Sequence, residues 1–380
     1  MRLLTLDLQG FRNHRGTALL LAGDMLHAFV GENGSGKTNV LEAVSLLSLL
    51  KSPRADDEAE LVTWGEGHYR VRADLQTDAG ERLRLEVVCE LSPQRRRACF
   101  VNDVRLGVGE VVGQLPTVSF FPEDLHLFTG APADRRRFLD QLLCQVSPEV
   151  LRDLVELQRL LRQRNALLKR MQQQGAQRAE LEPWDRALAA VSARITSARL
   201  GLLATLNVLL PQELAGLGWA PGSITLVARG AVEASAPEQL EACVLQALQA
   251  AHERDIQLQA TTVGPHREDF DVVVDGRSLT SFASRGQQRL VLVALLFLRA
   301  SYLELRRGER PVVLLDDVFS ELDAQHQELL LRNLSGSQIL TTTAHPLPFL
   351  QAARVWSVVA GEVQASTWPQ ASALLPASAP

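Results

Sequence analysis

The stretch Gly31-Glu32-Asn33-Gly34-Ser35-Gly36-Lys37-Thr38 constrains this chain more than any other. It reads G-x-x-x-x-G-K-T, the pattern of a phosphate-binding loop. Leu26 to Val30 ahead of it is a short apolar run with the character of a buried strand, and Asn39 to Val44 behind it opens a helical run. Strand, glycine loop and helix is the context the motif needs. Glycines let backbone N–H groups curl around a phosphate without Cβ clashes, and the helix N-terminus adds partial positive charge. In that arrangement Lys37 reaches the β and γ phosphates and the Thr38 hydroxyl holds Mg²⁺.

Two further stretches belong with the loop. Val312-Val313-Leu314-Leu315-Asp316-Asp317 describes a buried strand with carboxylates at its C-terminal end, the end that faces nucleotide in such folds. Asp316 is expected to bind the Mg²⁺ that Thr38 also touches, and Asp317 to face the γ-phosphate and position or deprotonate water. Ser284-Arg285-Gly286-Gln287 stands just before an apolar helix, Gly286 to Arg306. It offers a hydroxyl, a flexible backbone N–H and a helix dipole to an anion; the plainer reading is that Ser284 caps its helix. Two anion sites but one glycine loop suggest nucleotide sandwiched between two copies of the chain.

At 380 residues the chain is long enough for two domains. Its longest apolar run, Leu290 to Leu298, is too short to span a bilayer, and Asp7 interrupts the place of a signal peptide. A cytoplasmic protein with no membrane partner is expected. The four cysteines form no C-x-x-C pair and read as buried or neutral thiols. The net charge of −5 argues against non-specific nucleic-acid binding by the protein as a whole. Yet arginines cluster at 95–97, at Arg135, Arg136 and Arg137, and at Arg159, Arg162, Arg164 with Lys169 and Arg170. Arg135 to Arg137 either contact DNA, as the hairpin described next also would, or salt-bridge their own helix.

Periodicity organises the rest. His68–Gln76, Arg82–Leu91 and Ala98–Leu106 read as an antiparallel meander. From Pro148, a seam of Val150, Leu154, Leu157, Leu161, Leu168 and Met171 is interrupted by Arg164. A second seam runs through Leu181, Trp184, Leu188, Val191, Ile195, Ala198, Leu202 and Leu209. Spacings of three and four sustained this long suggest an antiparallel coiled-coil hairpin, with an ordinary helix bundle as the alternative. Helix is expected over 236–257, and disorder in the tail from Ala365.

The order Ser-x-Gly-Gln, Asp-Asp, Ser320-Glu321-Leu322-Asp323, then a strand and His345 resembles the ABC-type ATPases. Within them the match is closer to the RecF family of bacterial recombination mediators. It rests on Phe11-Arg12-Asn13-His14, Phe121-Pro122-Glu123-Asp124-Leu125, Arg135-Arg136-Arg137-Phe138-Leu139-Asp140, Gly264-Pro265-His266-Arg267-Glu268-Asp269-Phe270 and Leu315 to Asp323. The resemblance implies an α/β fold: an ABC-type, Rad50/SMC-head-like P-loop ATPase domain with a helical lobe. The implied division is an ATPase part over 1–122, a helical lobe over 123–257, the remaining ATPase part over 258–364 and the tail over 365–380.

It further implies ATP and Mg²⁺ as cofactors, ATP-driven homodimerisation, DNA binding at gaps or junctions and a weak, DNA-stimulated ATPase. The protein would act with RecO and RecR at single-strand gaps and stalled forks, promoting RecA loading and the SOS response. Carried over by residue, Gly31 to Thr38 (Gly31, Glu32, Asn33, Gly34, Ser35, Gly36, Lys37, Thr38) bind nucleotide, with Arg12 and Asn13 nearby. Ser284, Gly286 and Gln287 would meet the partner copy's γ-phosphate. His345 is a candidate switch histidine. Asp317 stands where glutamate is common in ABC ATPases; one methylene shorter, it predicts slow hydrolysis. A transporter subunit is disfavoured by the distance from Lys37 to Ser284, and a chromosome-structuring ATPase by the short hairpin.

Overall fold

The structure, a computed structural model, describes residues 1–174, 178–230, 237–344 and 352–367. The chain divides into two compact units, Met1–Leu125 with Leu292–Pro380, and His126–Val291.

In the first unit β1 (Arg2–Phe11) and β2 (His14–Leu20) precede β3 (Leu26–Val30) and α1 (Lys37–Leu49). Then come β4 (His68–Gln76), β5 (Arg82–Glu90), β6 (Arg96–Val101), β7 (Val104–Leu106), α2 (Val108–Val111) and β8 (Thr117–Phe120). The second unit holds α3 (Pro132–Val146), α4 (Pro148–Gln174), α5 (Glu182–Gly216), β9 (Ile224–Arg229), α6 (Leu240–Ala250) and α7 (His252–Leu258). It continues with β10 (Asp269–Val274), β11 (Arg277–Ser278) and α8 (Leu279–Phe282). The helix α9 (Arg285–Arg307) carries the chain back to the first unit, which ends with β12 (Val312–Asp316), α10 (Ala324–Asn333), β13 (Ile339–Thr343), β14 (Arg354–Val359) and β15 (Glu362–Ser366).

The first unit has two six-stranded sheets. One is antiparallel, in the order β2-β1-β4-β5-β6-β7. Its one-sided burial follows from alternation: Tyr69, Val71, Ala73 and Leu75 of β4 are buried while the residues between them are not. The other runs β15-β14-β3-β13-β12-β8, parallel except at β15. Every residue of β12 and β13 is buried, as expected of parallel strands covered on both faces. The apolar run of α9 is also buried from Leu292 to Leu298. Arg299, next in line, donates to the Ser119 carbonyl at 3.2 Å.

In the second unit α4 and α5 form the expected antiparallel pair, but not an isolated one. Val244 and Leu248 of α6 and Ala251 pack with Leu157, Leu160, Leu188 and Ile195 in one core. The seam interruption explains itself there. Arg164 is fully buried, donating to Asp185 at 2.8 Å, to Asp255 at 2.7 Å and to the Thr261 hydroxyl at 2.9 Å. His252 Nε2 lies 2.6 Å from the second Asp185 oxygen.

Several expectations need correction. The third meander run breaks into β6 and β7, because Asn102 and Asp103 take φ of 49° and 65° in a tight turn. The second seam changes step: Leu206, Leu210 and Leu214 are buried, whereas Leu209 is 41% exposed. α5 passes through Pro211 to Gly216, held by packing rather than propensity. The helix expected over 236–257 is two, α6 and α7, joined at Ala251, with residue 236 outside the described residues. The chain stays with the helical unit to Val291 rather than leaving it at 258. The cause is that β9 pairs with β10, while Asn207 of α5 exchanges hydrogen bonds of 2.9 and 2.6 Å with Leu226. Residues 365 and 366 belong to β15; from 368 onward the tail lies outside the described residues. The stretch Ala179–Gly216 is long and apolar enough for a membrane span, but 50% of its apolar window is buried inside the protein.

Removing the Arg164 guanidinium strands two buried carboxylates, a change that costs about 3–5 kcal/mol in typical buried pairs. Arg164→Ala should therefore lower the thermal midpoint by many degrees, and circular dichroism melting of the variant checks it. A midpoint within two or three degrees of the parent would contradict this account.

Candidate nucleotide site

The loop leaves β3 at Val30 and enters α1 at Lys37. Gly36 takes φ 116°, and a Cβ there would press on the Asn13 side chain. α1 has no side-chain cap and no acid in its first turn, so its leading N–H groups remain available to an anion. Lys37 is buried, with Nζ donating to the Gly31 and Glu32 carbonyls at 2.7 and 2.8 Å. Burial pulls its pKa down, and Asp317, Asp316 and Glu32 oppose that. The Ser35 hydroxyl is buried and makes no hydrogen bond. A buried hydroxyl in a loop of inward-facing N–H groups fits a phosphate oxygen.

Across the site, the Thr38 hydroxyl lies 2.8 and 2.9 Å from the two Asp316 carboxylate oxygens. Thr342, in register with Asp316, donates to it at 2.6 Å. Burial pushes the Asp316 carboxyl up, while these hydroxyls pull it down. A hydroxyl and a carboxylate on adjoining elements are the protein's usual share of an octahedral Mg²⁺ shell, phosphate and water supplying the rest. No group of three or more His, Cys, Asp or Glu residues that would hold a metal alone occurs among the described residues. The donor set therefore fits Mg²⁺ carried in with nucleotide. Asp317 follows at φ 51°, its N–H donating to Thr342 Oγ1 at 2.9 Å.

Arg12 and Asn13 lie beside the loop with distinct tasks. Arg12 grips Glu42, a fully buried acid of α1, through Nε at 2.9 Å and Nη2 at 2.6 Å, and donates to the Glu60 carbonyl. Asn13 Nδ2 donates to Ser35 O at 2.9 Å, and its Oδ1 accepts from Asn39. Glu123 sits 3.7 Å from Arg54, which also faces Glu42 at 3.8 Å. Glu42, Asn39, Thr342 and the β14–β15 turn escaped sequence reasoning. The turn's only sign was Gly361, whose N–H donates to Ser35 O at 2.8 Å.

In the second unit Ser284, Arg285 and Gly286 are exposed at the start of α9. Ser284 Oγ accepts from Gln287 N at 3.2 Å, and Gln287 Oε1 accepts from Ser284 N at 2.9 Å. Both readings of Ser284 are thus compatible: it caps the helix and presents that cap to solvent. Arg135 is spent internally, on Asp269 at 2.7 and 2.9 Å and on the carbonyls of Leu127, Phe128 and Gly130. Arg136 donates to the Glu268 carbonyl, and Arg137, 46% exposed, pairs with Asp134. Of the three, only Arg137 salt-bridges its own helix; Arg135 instead ties α3 to β10 and to the loop before α3. His345 lies outside the described residues.

A glycine loop at the head of α1, a buried carboxylate bonded to Thr38 at the end of β12 and a Ser-x-Gly-Gln helix start define an ABC-type ATPase of the SMC class. The RecF/RecN/SMC N terminal domain family matches residues 2–367. The chain is 36% identical over 376 residues to the DNA replication and repair protein RecF of Heliobacterium modesticaldum, covering 96% of this chain and 100% of that one. It is 35% identical to the RecF of Acidothermus cellulolyticus, covering 96% and 99%. The solved structure of the recombination mediator protein RecF with ATP in the RecFOR pathway superposes with a TM-score of 0.88 at 28% identity, covering 96% of this chain and 97% of that one. An SMC head bound to the C-winged helix domain of ScpA shares the fold at a TM-score of 0.55 and 14% identity, covering 98% and 99%. The chain belongs to the RecF family.

Asp316→Asn keeps the shape of the carboxylate but removes its charge. Mg²⁺ should then strengthen ATP binding much less than it does for the parent. Titration with fluorescent ATP analogue, in Mg²⁺ and in EDTA, checks this; an undiminished Mg²⁺ effect would remove Asp316 from the metal site.

Proposed function

We propose that this protein is an ATP-gated DNA-binding repair protein, with Mg²⁺-ATP held by Gly31 to Thr38 and Asp316 and hydrolysed slowly. The observation that carries the reading is the pairing of that half-site with a solvent-presented signature, Ser284 to Gln287. Gly286 and the α9 N-terminus would receive the γ-phosphate of nucleotide bound to a second copy, so ATP would close a homodimer. Bound Mg²⁺ would bridge the phosphates and offset charge developing on them. Asp317, next to Asp316 and in electrostatic contact with Lys37, would orient the attacking water. Its short side chain suits a switch that hydrolyses rarely. His345, which follows β13 in sequence, would sense the γ-phosphate.

DNA contacts fall more naturally to α4 than to Arg135. Arg152, Arg159, Arg162 and Lys169 recur at spacings of seven, three and seven residues, and all are exposed. Those spacings put them on one side of a helix. Like its relatives in the RecFOR pathway, the protein would work with RecO and RecR at gaps and stalled forks in the cytoplasm, promoting RecA loading and the SOS response.

Lys37→Met should abolish ATP binding, dimerisation and the ATP-dependent gain in DNA affinity together. Ser284→Arg should keep ATP binding and lose the dimer. Light scattering and nucleotide titration separate the two, and ATP-dependent dimers of Ser284→Arg would count against a signature acting across copies.

Arg162→Ala with Lys169→Ala should weaken gapped and duplex DNA alike and flatten the salt dependence by roughly two in log–log slope. An unchanged slope would remove α4 from the DNA surface.

A further inference from the structure

The phosphate loop is held from behind as well as built from glycine. Ser35 O accepts from Asn13 Nδ2 at 2.9 Å and from Gly361 N at 2.8 Å. Gly36 O faces His14 Nε2 at 3.1 Å. A carbonyl only accepts, so Nε2 carries the proton. His14 Nδ1 lies 3.1 Å from the Thr17 hydroxyl, which also lies 3.3 Å from Gly361 O. His14 is 0% exposed, and Thr17 is buried beside it. Gly361 has φ 86°, and a Cβ there would overlap the Asn13 carbonyl. The strand pair β1–β2 and the turn between β14 and β15 therefore meet behind two consecutive peptides of the loop.

The consequence follows from peptide geometry. C=O and N–H point opposite ways in a trans peptide. Fixing Ser35 O and Gly36 O from behind aims the N–H groups of Gly36 and Lys37 away from His14, towards the position of the phosphates. A donor on a peptide carbonyl also polarises that peptide, making its N–H a stronger donor.

We propose that His14 is a positioning residue for nucleotide: through its Nε2–H bond to Gly36 O it sets the Gly36–Lys37 peptide for polyphosphate. The role rests on the ATP-binding reading and goes beyond it, because His14 touches no ligand itself. It also explains why a polar ring stands at a fully buried position between two sheets' ends, where an apolar side chain would pack at lower desolvation cost.

The test uses the full chain and two probes, ATP and inorganic tripolyphosphate, with binding measured by calorimetry. His14→Leu should weaken both by about tenfold. His14→Gln puts an amide N–H near the place of Nε2 and should bind within about threefold of the parent, while His14→Asn, too short to reach Gly36 O, should behave like leucine. Equal weakening by glutamine and leucine would mean mere packing and overturn the proposal, as would no weakening by leucine. Should the leucine variant fail to fold, nitrogen-labelled histidine in the parent decides. The proposal requires the Nε2–H tautomer and a shift of that resonance on adding tripolyphosphate; an Nδ1–H tautomer or an unmoved signal overturns it. If the parent binds neither probe, the ATP reading fails instead, and the Lys37→Met control marks that outcome.

Discussion

The bond between Thr38 and Asp316 is the constraint on which the rest of the ATPase unit depends. It joins residues 278 apart in sequence. It requires the head of α1 and the end of β12 to reach the same point, which in turn fixes the order of strands between them. β13 separates β3 from β12, so Thr342 falls in register beside Asp316 and adds its own hydroxyl. A buried carboxylate is tolerable only when such donors surround it. The same three groups are those a hard cation and a phosphate would reorganise, so the stability of this corner and its chemistry share their atoms.

Much of that corner was legible in the sequence because each part has a strong local signature. A glycine loop between strand and helix, and four apolar β-formers ahead of two aspartates, are dictated by backbone geometry and burial. What could not be read is what holds these parts from outside. Glu42 looks like an ordinary helix glutamate, yet it is fully buried between Arg12 and Ser52, the latter donating at 2.5 Å. His14 sat inside a recognised motif with no role of its own. The β14–β15 turn gave Gly361 as its one sign, and of β15 beyond it the last two residues fall in the expected tail. These are tertiary contacts between segments hundreds of residues apart, and no periodicity encodes them. The helical unit shows the same division: heptad spacing foretold α4 and α5, while the close packing of α6 and the passage through Pro211 depend on partners.

The arginines of the second unit show why charge counting misleads. Arg164 and Arg199 are nearly or fully buried, and Arg135 is nearly so. Arg199 joins Asp140 at 2.9 Å, Glu268 at 3.1 Å and the Pro265 carbonyl at 2.7 Å. Guanidinium forks that bridge acids on different elements act as cross-links within the unit, selecting one arrangement of helices over near alternatives. An arginine count in such a protein therefore overstates the basic surface it offers to a partner.

The strand order also has a consequence for how the protein is made. β3, which ends in the phosphate loop, lies between β13 and β14, both near the end of the chain. A ribosome-bound chain carries β3 and β8 long before their neighbours β12, β13 and β14 exist, whereas residues 126–291 are released as a complete unit. The helical unit can close while translation continues, but β3 must wait, unpaired on both sides, until β13 and β14 emerge. A product truncated before β13 would contain the whole glycine loop and still lack the sheet that supports it. Nucleotide binding thus marks a finished chain.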